Sequence, residues 1–334
     1  MSERLVWLDS LRGFAIFTVV LGHCIDGYLG ANIFPSYNVL LKIAYDFIYS
    51  FHMPLFFCIS GFAFYLSKTY KKYKIKFWDI VLLYLFWSVF QWCFKIVLAS
   101  HVNKPLNFDD LLKIFYVPMV PYWYLYVLAC LYLVFSKIGV PKIKLSLLCI
   151  TGILGFIIKH YSIDLGIIST SVYYMYFFAL GGHLCTMNLH NRIQNKNFII
   201  CVAICIVNCI LYLYKVNFTT SILSINSIIV ASAGSIVCFY IFYNWKIVYE
   251  SNILKMFGVY SLQIYVIHSF ITAGSRIIFK MLEIINLPLY LLVGMIFGIF
   301  IPIIIGKYCA QNEFLNLPFA PIKGLKKVGV IKNL

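Results

Sequence analysis

Apolar positions in this chain recur in blocks about 20 residues long, each closed by a short polar or basic connection. A helix rises 1.5 Å per residue, so a block of that length crosses the roughly 30 Å hydrocarbon core of a bilayer. Helices are predicted near 7–28, 45–66, 77–99 and 119–136, then 145–158, 171–186, 198–214, 223–243, 256–273 and 288–306. The expected fold class is therefore all-α: one polytopic integral membrane bundle of about ten transmembrane helices, a single domain over 1–334. No internal repeat or flexible linker interrupts it.

Composition agrees. The 334 residues are 63% hydrophobic and 11% charged, against about 25% charged in soluble domains. The net charge of +16 would fit a nucleic-acid binder if the basic residues formed a stripe, but they cluster between apolar blocks. That placement suits lipid headgroups and excludes nucleic acid as partner. Alternate connections differ: one set holds 18 of the 27 Lys and Arg, including Lys68, Lys71, Lys72, Lys74 and Lys76, and the other holds seven. Both termini are expected in the cytoplasm, with the chain in the inner or plasma membrane. The 11 cysteines form no CxxC pair, and Cys201, Cys205 and Cys209 read as small packing residues on one helix face. No metal site is expected. Asp9, Arg12 and His23 interrupt the first apolar run, so that run reads as a retained span rather than a cleaved signal.

Those same residues carry the candidate chemistry. An ionisable side chain within a span costs about 2.5 to 3.5 kcal/mol on insertion scales and needs a partner, water or a function. Arg12 and His23 lie three turns apart on one helix face, roughly 16 Å, with Asp9 and Asp26 within about a right angle of them. In the second span, His52 lies at a height similar to that of His23, and Pro54 removes a backbone donor beside it. Two histidines at one depth suggest a shared site in which an imidazole takes the proton of an attacking hydroxyl. A buried histidine can also simply bond a neighbouring helix; the four ionisable groups on one face of the first helix argue for function at His23. His268 and His183 are further histidines within spans, whereas His101, His160 and His190 fall in loops and read as solvated.

The segment from Trp7-Leu-Asp9-Ser-Leu-Arg12-Gly13 to Gly22-His23 resembles the first-helix signature of the acyltransferase-three family of integral membrane O-acyltransferases, an arginine, ten residues and a histidine. Phe51-His52-Met53-Pro54-Leu55-Phe56-Phe57 with Ser60-Gly61-Phe62 is similar to its second-helix motif, particularly in the branch of fucose 4-O-acetylase-like capsule enzymes. Tyr122-Trp123-Tyr124-Leu125 resembles the family's aromatic entry to a middle span, and Gly258 with Ser261 to His268 its late motif.

The resemblance implies transfer of an acyl group, usually acetyl, from coenzyme A at the cytoplasmic face to a sugar hydroxyl of an envelope glycan. On that pattern His23 is the base and Arg12 the donor-side cation. Lys68-Thr-Tyr-Lys71 stands where relatives carry Arg-x-x-Arg, keeping the charge but losing the bidentate fork. Lys68, Lys71 and Lys72 would meet the coenzyme's phosphates, with a hydrated tunnel leading to His23. His52 or Asp26 would orient His23 or hold the acceptor, to which Trp123 and His268 would also contribute. The expected partners are acyl-CoA, the glycan acceptor, membrane lipids and, if chains associate, a second copy. A transporter or flippase for a lipid-linked sugar is the rival reading, because intramembrane charges also mark translocation paths.

Overall fold

The computed structural model describes residues 5–67, 70–97, 107–138, 143–191, 193–216, 227–322 and 325. Among these, every regular element is helical: α1 (Val6–Gly30), α2 (Asn38–Leu66), α3 (Tyr70–Val97), α4 (Phe108–Lys113), α5 (Trp123–Ile138), α6 (Leu145–His160) and α7 (Ile167–Thr186). They are followed by α8 (Asn195–Val216), α9 (Ser227–Asn244), α10 (Lys246–Tyr249), α11 (Asn252–Val259), α12 (Ser261–Met281) and α13 (Leu287–Cys309). The all-helical expectation holds for the described residues.

Each of the ten apolar blocks overlaps helix, but among the described residues six stretches are long and apolar enough to cross a membrane: Val6–Gly30, Pro35–Leu66, Ile75–Val97, Asn195–Tyr212, Ser261–Met281 and Leu287–Cys309. Trp123–Lys137, Leu145–Ile158 and Ile228–Asn244 are apolar but shorter. Several boundaries differ from the sequence reading: α2 begins at Asn38 and α3 at Tyr70, both ahead of the predicted starts near 45 and 77. The block near 256–273 is two helices, α11 and α12, which meet at Tyr260. α12 then continues to Met281, so Arg276, which the loop count had placed outside a span, lies inside a helix. Pro54 is accommodated within a continuous α2.

The chain forms two compact units. The first comprises residues 1–22, 39–68 and 139–261. Within it α6 pairs with α7 and α8 with α9. Glycines permit its closest crossing: a Cβ at Gly61 would overlap the Phe178 carbonyl, and one at Gly181 the Cys58 carbonyl, so α2 and α7 meet backbone to backbone. The second unit comprises residues 23–38, 69–138 and 262–334, in which α3 pairs with α5. Its aromatic core includes Trp87, which is edge-on to Phe90 and donates its indole N–H to the Pro318 carbonyl at 2.8 Å.

Candidate active site

The N-terminal half of α1, in the first unit, is fixed by its flanks. Trp7 meets Phe62, Phe239 and Tyr243 edge-on and stacks on His190 at 5.7 Å. His190 was expected to be solvated. Instead the aromatic cluster half-buries it and its Nδ1 lies 3.2 Å from the Leu184 carbonyl. Burial therefore pushes its imidazole below the ordinary histidine range. One turn further, Ser10 Oγ donates to the Tyr249 carbonyl at 2.6 Å. A Cβ at Gly13 would overlap the Leu254 carbonyl, and one at Gly258 the Asp9 carbonyl, so α1 and α11 cross in backbone contact. This crossing explains in steric terms why glycine stands at both motif positions.

At that crossing Asp9 is buried, and Arg12 Nη1 lies 3.4 Å from Asp9 Oδ1, with its side chain 30% exposed. A guanidinium has five N–H donors in a planar fork, and one is aimed at Asp9 here. His52, also in this unit, is buried, with Nδ1 2.8 Å from the Ile48 carbonyl and its ring edge-on to Tyr49 at 4.5 Å. His183 Nδ1 lies 2.6 Å from the Ile143 carbonyl, a link between segments. Lys68 lies outside the described residues, as do the side chains of Lys71 and Lys72, whose backbones belong to α3.

The C-terminal end of α1 belongs to the second unit, and there His23 meets His268. Their ring centroids are 5.1 Å apart and the rings are tilted by 46°. His268 is fully buried, and its Nδ1 lies 2.9 Å from the carbonyls of both Ile264 and Tyr265. Carbonyls only accept, so Nδ1 carries the hydrogen and Nε2 holds the lone pair. That Nε2 has no hydrogen-bond partner among the described residues. A buried acceptor left open costs about 1 to 3 kcal/mol, and it is an acceptor already in place for a ligand hydroxyl or a proton. His23 is half-buried, so this pair is not sealed.

Aromatic braces hold His268 in place. Tyr122 donates its hydroxyl to the Val266 carbonyl at 2.9 Å, and Tyr265 donates to the Pro121 carbonyl at 2.5 Å. These reciprocal bonds tie the segment before α5 to α12, and Trp123, half-buried, follows at once as the first residue of α5. Two motifs distant in sequence are thus one structural unit, with Tyr265 edge-on to Tyr124 at 5.5 Å.

Sequence reasoning missed Arg276. His268, Thr272 and Arg276 follow each other at four-residue steps, one face of α12. Arg276 Nη1 donates to the Gly27 carbonyl at 2.8 Å, near the end of α1, where a cation meets the negative end of the helix. A Cβ at Gly27 would come within 2.5 Å of Nη1, so glycine makes the approach possible. Asp26 is exposed and within electrostatic reach of the same guanidinium, as are Tyr28 and Cys24. Tyr28 in turn donates to the Tyr290 carbonyl at 2.8 Å. The i, i+4, i+8 spacing was the available signal.

Chemically, the C-terminal end of α1 and the facing side of α12 bring together two imidazoles and a carboxylate beside a guanidinium. That set suits proton removal from a hydroxyl. A family model described as an acyltransferase domain, that of the acyltransferase-three family, matches residues 5–307. No curated protein and no solved structure matches the chain.

Proposed function

The chain belongs to the acyltransferase-three family, and from that premise we propose that it is a membrane O-acetyltransferase, with acyl-CoA as donor and a sugar hydroxyl of an envelope glycan as acceptor. The observation that carries this reading is the His23–His268 pair, two imidazoles with ring centroids 5.1 Å apart, one of them oriented by the Ile264 and Tyr265 carbonyls.

In the proposed reaction His23 takes the proton of the sugar hydroxyl as its oxygen attacks the thioester carbonyl. The new C–O ester bond forms, the C–S bond breaks, and the departing sulfur receives the proton from His23, leaving free coenzyme A thiol and the acylated sugar. His268 stays neutral, so the charge that develops on His23 meets a dipole and not a second cation. Asp26, with Arg276 beside it, holds acceptor hydroxyls, and Trp123 gives the sugar an aromatic face. Arg12 and the Lys68, Lys71 and Lys72 group receive the donor's phosphates. His52 supports the acceptor side.

The finer assignments rest on the sequence motifs and the charge pattern: the fucose 4-O-acetylase-like branch, ten spans with both termini cytoplasmic, one functional domain and residence in the inner or plasma membrane. Mass spectrometry of envelope glycans from cells with and without the gene tests the function. A mass difference of one acetyl group is expected on one glycan. Glycans identical in every fraction, with no coenzyme A bound to the purified protein, would reject the enzyme and favour a lipid-linked sugar transporter.

A further inference from the structure

Within the first unit, α2, α8 and α9 enclose a cavity of about 510 Å³ that closes on Phe14. Leu40, Ile43, Ala44, Phe47 and Phe51 supply the α2 wall. They form one helical stripe roughly 16 Å long at 1.5 Å per residue. Val230 to Ile241 on α9 present a wall of equal length, and Gly234 brings that wall against Phe51. The third wall is α8, which packs on α9 and has no buried residue in its apolar stretch. Its Cys205 and Cys209 face the cavity, while Ile206 is 53% exposed.

The polar residues of the lining are Asp46 and Ser50 on α2 and Asn208 and Tyr212 on α8, and Lys42 stands outside the lining, one turn from Asp46. Asp46 accepts a hydrogen bond from the Tyr212 hydroxyl and pairs with Lys42 Nζ at 2.8 Å. The Lys42 side chain is 57% exposed, and an ammonium has three donors, of which Asp46 takes one. Towards Phe14, Phe51 and Ile241 the lining is apolar. A sugar or nucleotide placed there would forfeit hydrogen bonds at about 2 to 7 kcal/mol per unpaired group, whereas a hydrocarbon chain forfeits none. The slot's length also matches one leaflet, half of the roughly 30 Å core.

We infer that this cavity binds one hydrocarbon chain of a phosphate-bearing bilayer lipid, whose phosphate meets the remaining donors of Lys42. The inference rests on the α2–α8–α9 slot and is independent of the acyl-transfer chemistry at His23.

The full-length chain, reconstituted in nanodiscs of palmitoyl-oleoyl phosphatidylglycerol and released for native mass spectrometry, should retain one phosphatidylglycerol. Val237→Trp and Cys209→Trp, which fill the slot, should lower that retention about tenfold, a change of 1.4 kcal/mol. Lys42→Gln should lower it less, and Ile206→Trp, at an exposed position on α8 outside the lining of the slot, should leave it unchanged. A wild-type chain without retained lipid, or equal retention by Val237→Trp and Ile206→Trp, would overturn the inference. Should the filled variants fail to fold, a phosphatidylglycerol with a carbene-generating chain tests the wild-type protein directly. Labelling of Phe47 or Val237 supports the slot; labelling confined to Ile206 and its outward neighbours contradicts it.

Discussion

The two ends of α1 lie on one helix and in different units, and they handle buried polarity in opposite ways. At the N-terminal end Asp9 has Arg12 as partner, Ser10 bonds Tyr249, and glycines bring α11 into backbone contact. At the C-terminal end His268 is fully buried with an acceptor that no described residue satisfies, and His23 stands beside it, half-buried. The first arrangement is a joint. The second holds a reactive group open at an energetic cost, and such costs concentrate at functional sites. A polar residue inside a span therefore indicates function most clearly when its partners are counted, not when its charge alone is noted.

Substitutions at each end should separate the two roles. The largest effect is expected from Gly258→Val, because the new side chain must occupy the space of the Asp9 carbonyl. A stability loss of about 3 kcal/mol or more is expected, at the upper end of overpacking costs, together with loss of folded protein in detergent thermal melts. His268→Leu should leave folding intact and lower acetyl transfer about 100-fold, the lower end for acid–base groups. His268→Gln, which can present an oxygen acceptor, should recover part of that loss, so a rate equal to that of the leucine variant would make His268 mere packing. Next in size, Arg276→Met removes a charged hydrogen bond to the end of α1. It should cost about 1.5 to 3 kcal/mol and raise KM for the acceptor more than it lowers kcat.

The smallest effect concerns pH beside the N-terminal end of α1. Burial holds the His190 imidazole below its ordinary value of about 6.5, so the folded chain favours the neutral ring. Its contribution to stability is complete above the unfolded pKa. It declines as pH falls through that value toward the folded one, because the unfolded chain takes up a proton that the folded chain resists. His190→Phe should flatten thermal stability between about pH 6.5 and pH 5; an unchanged slope would place the pH dependence elsewhere.

Much of this was legible in the sequence. Apolar blocks report helices, so all but the block near 256–273, which is divided between α11 and α12, correspond to one helix each, and charge within the first block marked α1 before any packing was known. What hydropathy does not report is tertiary pairing. Arg276 was read as a loop residue because Gly274, Ser275 and Arg276 depress the apolar average, yet a carbonyl on α1 keeps the helix going past them. His190 was read as solvated because it sits between helices, yet Trp7 and Phe62 reach it from elsewhere in the chain. The equal heights of His23 and His52 do not determine azimuth, and the structure sets the His23 ring beside that of His268. Among the described residues, six long apolar helices and ten apolar blocks differ by four: α5, α6 and α9 carry the composition of spans in fewer residues, and α7, 20 residues long, is diluted by serine, threonine, tyrosine and glycine.

The central claim is that His23 accepts the proton released when a hydroxyl takes the acyl group. It is tested most directly by the rate of radiolabelled acetyl transfer from acetyl-CoA to envelope glycan in proteoliposomes containing His23→Ala at wild-type levels. A fall of about 100- to 10,000-fold with unaltered thermal stability is predicted, the range for removal of a positioned base. Transfer at the wild-type rate would contradict the account.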